Sequence, residues 1–96
     1  MPENSEGRES PAIWRKRLRY RSWHRGTKEL DLLLGSFADR HLDTFDQGQL
    51  ARFEALIEAP EPTILAWLVD RVPPPAKLDS DVMRLLLDHK PNPQNG

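Results

Sequence analysis

Cysteine is absent from this sequence of 96 residues. Its absence excludes disulfide bonds, thiolate metal sites and a cysteine nucleophile together, and it is compatible with a reducing compartment. Long apolar runs are missing too, since LDLLLG and ILAWLV are far shorter than the roughly 18–20 residues that span a bilayer. The opening MPENSEGRES is polar and acidic, unlike a signal peptide or an arginine-rich transit peptide. We therefore expect a cytoplasmic protein without a membrane-inserted segment.

Catalytic and metal-binding patterns are missing as well. The histidines His24, His41 and His89 are scattered and show no H-x-x-x-H spacing, so we expect no metal site. The sequence has neither a G-x-G-x-x-G loop nor a G-K-[ST] motif for phosphate binding. We therefore expect that the protein is not an enzyme. His41 lies on the apolar stripe of a predicted helix, where a buried or half-buried structural role is the simplest interpretation.

Charge is abundant but segregated along the chain. The composition is 38% apolar and 30% charged, which suits one small domain. Residues 12–28 contain seven basic residues and no acid, whereas residues 29–96 contain twelve acids and six bases. The net charge of −1 thus hides a basic segment attached to an acidic body. This asymmetry indicates a charged partner surface without naming it.

Apolar residues recur at intervals of three and four, as in amphipathic helices, and no segment alternates with the period of two typical of strands. We predict an all-α fold, a compact bundle of five short helices over residues 12–90. Disordered tails are predicted at residues 1–11 and 91–96. The helices are expected at approximately Ala12–Trp23, Thr27–Leu42, Asp46–Glu58, Pro62–Arg71 and Ser80–Lys90.

The predicted core follows the apolar stripe of each helix. The fourth helix is so densely apolar that we expect it to be central. The core residues expected are Ile13, Trp14, Leu18 and Tyr20; Leu30, Leu33, Leu34, Phe37, Ala38, His41 and Leu42; Leu50, Phe53, Leu56 and Ile57; Ile64, Leu65, Trp67, Leu68 and Val69; and Val82, Leu85 and Leu86, with Met83 as a further candidate.

Local signals refine the helix ends. Thr44 followed by Gln47 fits a capping box for the third helix. Asp79 or Ser80 is the expected N-cap of the fifth. Gly35 interrupts the second helix at a cost of about 1 kcal/mol relative to alanine. We interpret it as a point where a neighbouring helix approaches closely.

The first two helices are joined by Arg25-Gly26-Thr27-Lys28-Glu29. Gly26 can adopt the left-handed conformation that closes a helix, and it can also cap the next helix. With Gly26 as the N-cap, Glu29 occupies position N3, where its carboxylate can reach back to a cap N–H. Arg25 and Glu29 are four residues apart and can pair locally. Capping therefore accounts for the glycine and the glutamate but not for the arginine.

The basic segment WRKRLRYRSWHRG permits two interpretations. Arginines interleaved with Trp14, Tyr20 and Trp23 suit phosphate contact and base stacking, as in a small nucleic-acid-binding regulator. The same pattern suits a solvated helix face whose aromatic residues anchor it to the core. The acidic body disfavours nucleic acid because it would repel a phosphate backbone.

The segment YRSWHRGTKELDLLLGSFADRHL resembles the signature of the SdhE family, the FAD assembly factors of succinate dehydrogenase. That family carries an R-G-x-x-E motif between its first two helices, usually continuing as E-L-D. The motif stands here as Arg25-Gly26-Thr27-Lys28-Glu29, followed by Leu30-Asp31. FEALIEAPEPTILAWLVDRVPPP is similar to the family's third and fourth helices, so the resemblance covers roughly residues 13–90. His24 departs from the pattern, because many relatives have a second arginine there.

The resemblance implies a non-enzymatic assembly factor. Such a protein would bind the flavoprotein subunit of succinate dehydrogenase, and in some bacteria that of fumarate reductase. It would promote covalent attachment of FAD, through the 8α-methyl group, to a histidine of that subunit, and would not hold FAD stably itself. The implied partner contacts are Arg25, Gly26 and Glu29, with Asp31, Arg21 and Arg17 at the rim.

Overall fold

The computed structural model describes residues 9–91, which form five α-helices. These are α1 (Pro11–Trp23), α2 (Lys28–His41), α3 (Gln47–Ile57), α4 (Glu61–Leu68) and α5 (Asp81–Asp88). Single 3-10 turns lie at Leu42–Thr44 and Ala76–Leu78. The described range contains no strand. The predicted all-α bundle of five short helices is confirmed.

The chain ends were predicted to be disordered tails, and most of residues 1–11 and 91–96 lie outside the described range. Among the described residues 9–91, the Ser10 hydroxyl accepts the Ile13 N–H at 3.2 Å and caps α1. Pro11 is the first residue of the helix, where its missing N–H has no consequence. The helix therefore begins one residue before its predicted start. No helix of residues 9–91 combines the length and the apolar character needed to cross a bilayer.

The core is centred on α2 and α3. Leu34 and Phe37 of α2 are fully buried, and the Phe37 ring stacks on Phe53 of α3 with centroids 5.3 Å apart. The predicted α3 stripe is confirmed completely, with Leu50, Phe53, Leu56 and Ile57 all buried. In α5, Val82, Met83 and Leu86 are buried, but Leu85 is 38% exposed, so its predicted burial was wrong.

Helix α1 buries less than its apolar content predicted. Leu18 is fully buried and Trp14 packs partly against the core, but Ile13 and Tyr20 are 56% and 64% exposed. Their predicted burial was wrong because α1 faces the body with arginines as well as with apolar side chains. Helix α1 instead packs closely on α2 at its C-terminal end.

Gly35 provides the space for that close packing. A Cβ atom at Gly35 would overlap the indole ring of Trp23, which lies directly against the α2 backbone. The predicted close approach of a neighbouring helix at this glycine is confirmed. The contact fixes the end of α1 on α2, and therefore fixes where the connecting segment begins.

Helix α4 is shorter and less central than predicted. It ends at Leu68, Val69 is 50% exposed, and only Ile64 and Trp67 are buried. Arg71 has a φ of 61°, and the Val72 N–H bonds to the Ala66 carbonyl at 2.9 Å. This left-handed turn ends the helix before the prolines, as glycine more often does.

The capping box of α3 also differs from the prediction. Asp46 accepts the Gln49 N–H at 2.8 Å, and the Gln49 side chain accepts the Asp46 N–H at 3.0 Å. Thr44 is not the cap, because its hydroxyl donates to the His41 carbonyl within the preceding 3-10 turn. Ser80 caps α5, which confirms one of the two predicted alternatives, Asp79 or Ser80.

Candidate functional site at the joint between helices 1 and 2

The joint comprises His24–Thr27, which connects the end of α1 to the start of α2. Gly26 has a φ of 115°, a conformation that side-chain-bearing residues rarely adopt. The predicted positive φ at this glycine is confirmed.

The cap of α2 lies one residue later than predicted. The Thr27 hydroxyl, not Gly26, caps the helix by accepting the Leu30 N–H at 3.3 Å. Glu29 consequently occupies the second helical position rather than N3. It is exposed, and neither an ion pair with Arg25 nor a bond back to the cap forms within residues 9–91.

Asp31, and not Glu29, accepts backbone N–H groups just before α2. Its Oδ1 accepts the Arg25 N–H at 2.6 Å and the Gly26 N–H at 3.3 Å. One carboxylate thus holds two consecutive backbone groups and fixes the turn. Its place in the first turn of α2 also suits the positive end of the helix dipole.

Arg25 is half-buried and connects the joint to the loop between α3 and α4. Its Nη2 donates to the Ala59 carbonyl at 3.2 Å. Its Nε is buried and has no hydrogen-bond partner among the described residues. A buried donor left unpaired costs roughly 1–3 kcal/mol, so local packing alone does not account for this arginine.

The start of α4 closes against the other side of the joint. A Cβ atom at Gly26 would lie 2.9 Å from Oε2 of Glu61. Since that oxygen is the far end of a flexible side chain, the closeness can be relieved by a rotation of Glu61. The positive φ of Gly26, in contrast, disfavours any side chain at this position.

The open side of the joint borders a cleft of about 660 Å³. Its lining includes Trp23, His24, Gly26, Lys28, Asp31 and Leu32. Leu32 is 37% exposed and falls outside the buried stripe of α2. A leucine out of helical phase in the run Leu32-Leu33-Leu34 was a sequence signal of this cleft that the stripe analysis missed.

Glu54 of α3 pairs with both arginines predicted at the rim, and Glu9 pairs with Arg17 as well. Arg17 Nη1 lies 3.0 Å and Arg21 Nη1 lies 3.3 Å from the Glu54 Oε2. The Trp14 indole N–H donates to its Oε1 at 2.9 Å. Burial alone would raise the pKa of Glu54, but hydrogen bonds from Arg17 and Trp14 outweigh it and the pKa is lowered.

Other arginines of α1 are engaged within the fold as well. Arg15 donates to the Leu42 and Phe45 carbonyls, each at 2.7 Å. Arg19 pairs with Asp39 at 3.1 Å and Asp43 at 3.3 Å. Arg17, Arg19 and Arg21, three of the five basic residues of α1, thus pair with carboxylates of the same chain, which weakens the observation that favoured nucleic-acid binding.

Taken together, these features define a small all-α protein with a hydrogen-bonded joint between α1 and α2. Arg25, Gly26 and Asp31 meet there, and Glu29 is exposed in the first turn of α2, whereas Arg17 and Arg21 pair with Glu54 of α3.

The chain belongs to the family described as "Flavinator of succinate dehydrogenase", which it matches over residues 16–90. That range contains the whole joint. It also contains all six residues predicted as partner contacts.

Similar curated proteins are found in bacteria and eukaryotes. The chain is 35% identical over 77 residues to the FAD assembly factor SdhE of Acetobacter pasteurianus, covering 80% of this chain and 71% of the relative. It is 42% identical over 82 residues to the mitochondrial succinate dehydrogenase assembly factor 2-B of Drosophila ananassae, covering 83% and 50%. The assembly factor 2 of Dictyostelium discoideum is 36% identical over 78 residues, covering 81% and 55%. The chain thus spans about half the length of these mitochondrial relatives.

Proposed function

We propose that this chain is an assembly factor that binds the flavoprotein subunit of succinate dehydrogenase and promotes covalent attachment of FAD to a histidine of that subunit. The observation that carries the proposal is the family match over residues 16–90. It is supported by relatives named as FAD assembly factors or succinate dehydrogenase assembly factors. The nucleic-acid alternative gains no support from the family or from the paired arginines of α1.

In this proposal the chain acts by positioning its partner and supplies no catalytic group. Holding reacting groups in a productive geometry can itself accelerate a reaction by orders of magnitude. The flavoprotein supplies the histidine and retains the flavin, so the assembly factor holds no FAD of its own. Titration of the isolated chain with FAD, followed by flavin fluorescence, tests that part, and saturable binding contradicts it.

The joint is the proposed docking surface, with Arg25, Gly26 and Glu29 as the contacts. The exposed carboxylate of Glu29 makes no bond within residues 9–91 and is available to a donor on the partner. Gly26 leaves the backbone accessible, since it is exposed and has no side chain. Asp31 holds the backbone of Arg25 and Gly26 in place, and Arg17 and Arg21 remain weaker candidates because Glu54 engages both.

Two substitutions at Gly26 separate docking from folding. Gly26→Ala and Gly26→Arg impose the same unfavourable φ, costing of order 1–3 kcal/mol, but only arginine adds bulk above the joint. We expect both variants to retain helical circular dichroism at 20 °C and to melt at similar temperatures. Gly26→Arg should lose flavoprotein binding in a pull-down, and Gly26→Ala should retain a substantial part of it.

The assay combines the chain with apo flavoprotein subunit and free FAD and scores covalent flavin by in-gel fluorescence. Flavinylation that is unchanged by the chain, together with no detectable complex, would contradict the proposal. Parallel reactions with a fumarate reductase flavoprotein test whether it is a second client. A cytoplasmic location is likewise proposed, compatible with the cysteine-free composition, and cell fractionation tests it.

A further inference from the structure

We infer that the cleft beside the joint is a second part of the docking surface and receives an apolar side chain of the flavoprotein that is flanked by a carboxylate. The inference rests on the proposed function and adds a pocket to the contacts already assigned. Its volume, about 660 Å³, exceeds that of two other cavities of the described chain, about 180 and 240 Å³. Mostly apolar clefts of this size with a few polar groups are typical binding sites.

The aromatic residues of the cleft, Trp23 and His24, are held by contacts within the fold. The Trp23 ring is wedged against Gly35, where not even a methyl group fits. The His24 ring stacks on Tyr20 with centroids 3.9 Å apart, and its Nδ1 lies 2.7 Å from the Tyr20 carbonyl. Fixed aromatic side chains lose little entropy on binding, which is why Trp and Tyr are frequent interface anchors.

Leu32 is an apolar residue of the cleft lining. It is 37% exposed, although neighbouring Leu30 and Leu34 are fully buried. Burying Leu32 against a partner side chain would remove apolar surface from water, which favours association.

The charges at the rim indicate the chemistry beside the apolar group. The Asp31 carboxylate is engaged with the N–H groups of Arg25 and Gly26. Lys28 is exposed and pairs with no carboxylate within residues 9–91. Lys28 and Asp31 give the lining no net charge, but the Asp31 carboxylate is held by backbone N–H groups of the joint, whereas the Lys28 ammonium has no carboxylate partner within residues 9–91. A carboxylate on the partner complements that ammonium group.

The cleft and the joint are continuous, because Gly26 belongs to both. A protein that contacts Gly26 therefore lies beside the lining of the cleft. The flavoprotein that docks on the joint is therefore the expected occupant, rather than a separate partner.

Leu32→Arg and Leu85→Arg form a matched pair that tests the inference. The two leucines are 37% and 38% exposed, but Leu85 lies on α5 and does not line the cleft. Binding of the full chain to apo flavoprotein subunit is measured by isothermal titration calorimetry, and folding by circular dichroism. We expect Leu32→Arg to weaken binding at least tenfold and Leu85→Arg to change it less than twofold. Leu32→Gln, which removes apolar character with little added bulk, should weaken binding about threefold to tenfold.

The rim charge is tested in the same titration. Lys28→Glu should weaken binding at least threefold, and raising the salt concentration should reduce the difference between the variant and the parent chain.

The outcomes distinguish failure of this inference from failure of the proposed function. Parent chain that does not bind the flavoprotein overturns both. If the parent binds, Gly26→Arg does not and Leu32→Arg binds as well as Leu85→Arg, only the cleft assignment is overturned. Sedimentation that shows a dimer of the parent chain dissociated by Leu32→Arg, with flavoprotein binding retained, would assign the cleft to a second copy and would also overturn the inference.

Discussion

Asp31→Ala should loosen the joint without unfolding the bundle. The substitution removes one charged acceptor from two consecutive N–H groups, those of Arg25 at 2.6 Å and Gly26 at 3.3 Å. A hydrogen bond to a charged group contributes roughly 1.5–3 kcal/mol. The Gly26 bond is longer and exposed, so water replaces most of it. Most of the loss therefore arises at the half-buried Arg25 N–H.

The net loss of unfolding free energy should be about 2 kcal/mol. Loss of a favourable charge near the start of α2 adds roughly 0.3–1 kcal/mol to the cost, and the better helix propensity of alanine offsets about as much. For a domain of this size, the melting temperature should fall by on the order of 10 °C. Asp31→Asn retains an acceptor oxygen without the charge and should lose about half as much.

The decisive assay is amide hydrogen exchange, because it reports on the two bonded groups directly. The Arg25 and Gly26 amides should exchange much faster in Asp31→Ala. The core amides of α3 should quicken only by the amount that the lower global stability requires. Glu29→Ala is the matched control, since Glu29 is an exposed acid in the same helical turn. It should leave exchange at the joint unchanged and yet weaken flavoprotein binding. Unaltered exchange at Arg25 and Gly26 in Asp31→Ala would refute the reasoning.

Three further predictions concern the frame that supports the joint. Gly35→Ala should destabilise the fold by about 2 kcal/mol or more, because the new methyl group overlaps the Trp23 ring, and a shift in tryptophan emission should accompany it; an unshifted spectrum and unchanged urea midpoint would contradict the packing described. Glu54→Gln should lower the unfolding free energy by about 1 kcal/mol at pH 7. Because the folded-state pKa of Glu54 is lowered, the parent chain should lose stability as the pH falls below the ordinary pKa of a glutamate, and the variant should lose less. Burial lowers the pKa of His41 and of His89, so the unfolded chain takes up protons first as the pH falls through about 6.5. Urea unfolding should therefore show a lower unfolding free energy at pH 5.5 than at pH 7.5, and a higher value at pH 5.5 would contradict the lowered pKa values.

The helices could be predicted from the sequence wherever one face is apolar and the other polar. Helix α3 is such a case, since Leu50, Phe53, Leu56 and Ile57 have no competing interpretation and are all buried. In α4 the apolar residues are so dense that periodicity could not select a face. There the left-handed turn at Arg71 decided where the helix ends, and no local signal predicts a positive φ at an arginine.

The caps were misplaced by one or two residues because several side chains offered the same local bond. Thr44 with Gln47 and Asp46 with Gln49 have the same spacing, and the 3-10 turn before α3 engages Thr44 and leaves Asp46 to cap. Thr27 likewise caps α2 in place of Gly26, so the helix begins one residue later than predicted and Glu29 is not at the capping position N3.

The surroundings of the joint depend on contacts between residues far apart in sequence. Arg17 and Arg21 meet Glu54, and the Arg25 guanidinium meets the Ala59 carbonyl 34 residues away. The count of basic residues predicted a charged partner, but it could not predict that Arg17, Arg19 and Arg21 pair with carboxylates of the same chain. The motif located the joint, whereas the fold determined which of its side chains remain available to another protein.

The central claim is that the joint is a docking surface for the flavoprotein. The most direct measurement is covalent flavin on apo flavoprotein subunit after incubation with FAD and either the parent chain, Gly26→Ala or Gly26→Arg, with melting curves of the three chains recorded alongside. The account predicts strong flavin fluorescence with the parent, a partial signal with Gly26→Ala and none above background with Gly26→Arg, although the two variants melt at similar temperatures. Equal flavinylation by Gly26→Arg and the parent chain would contradict it.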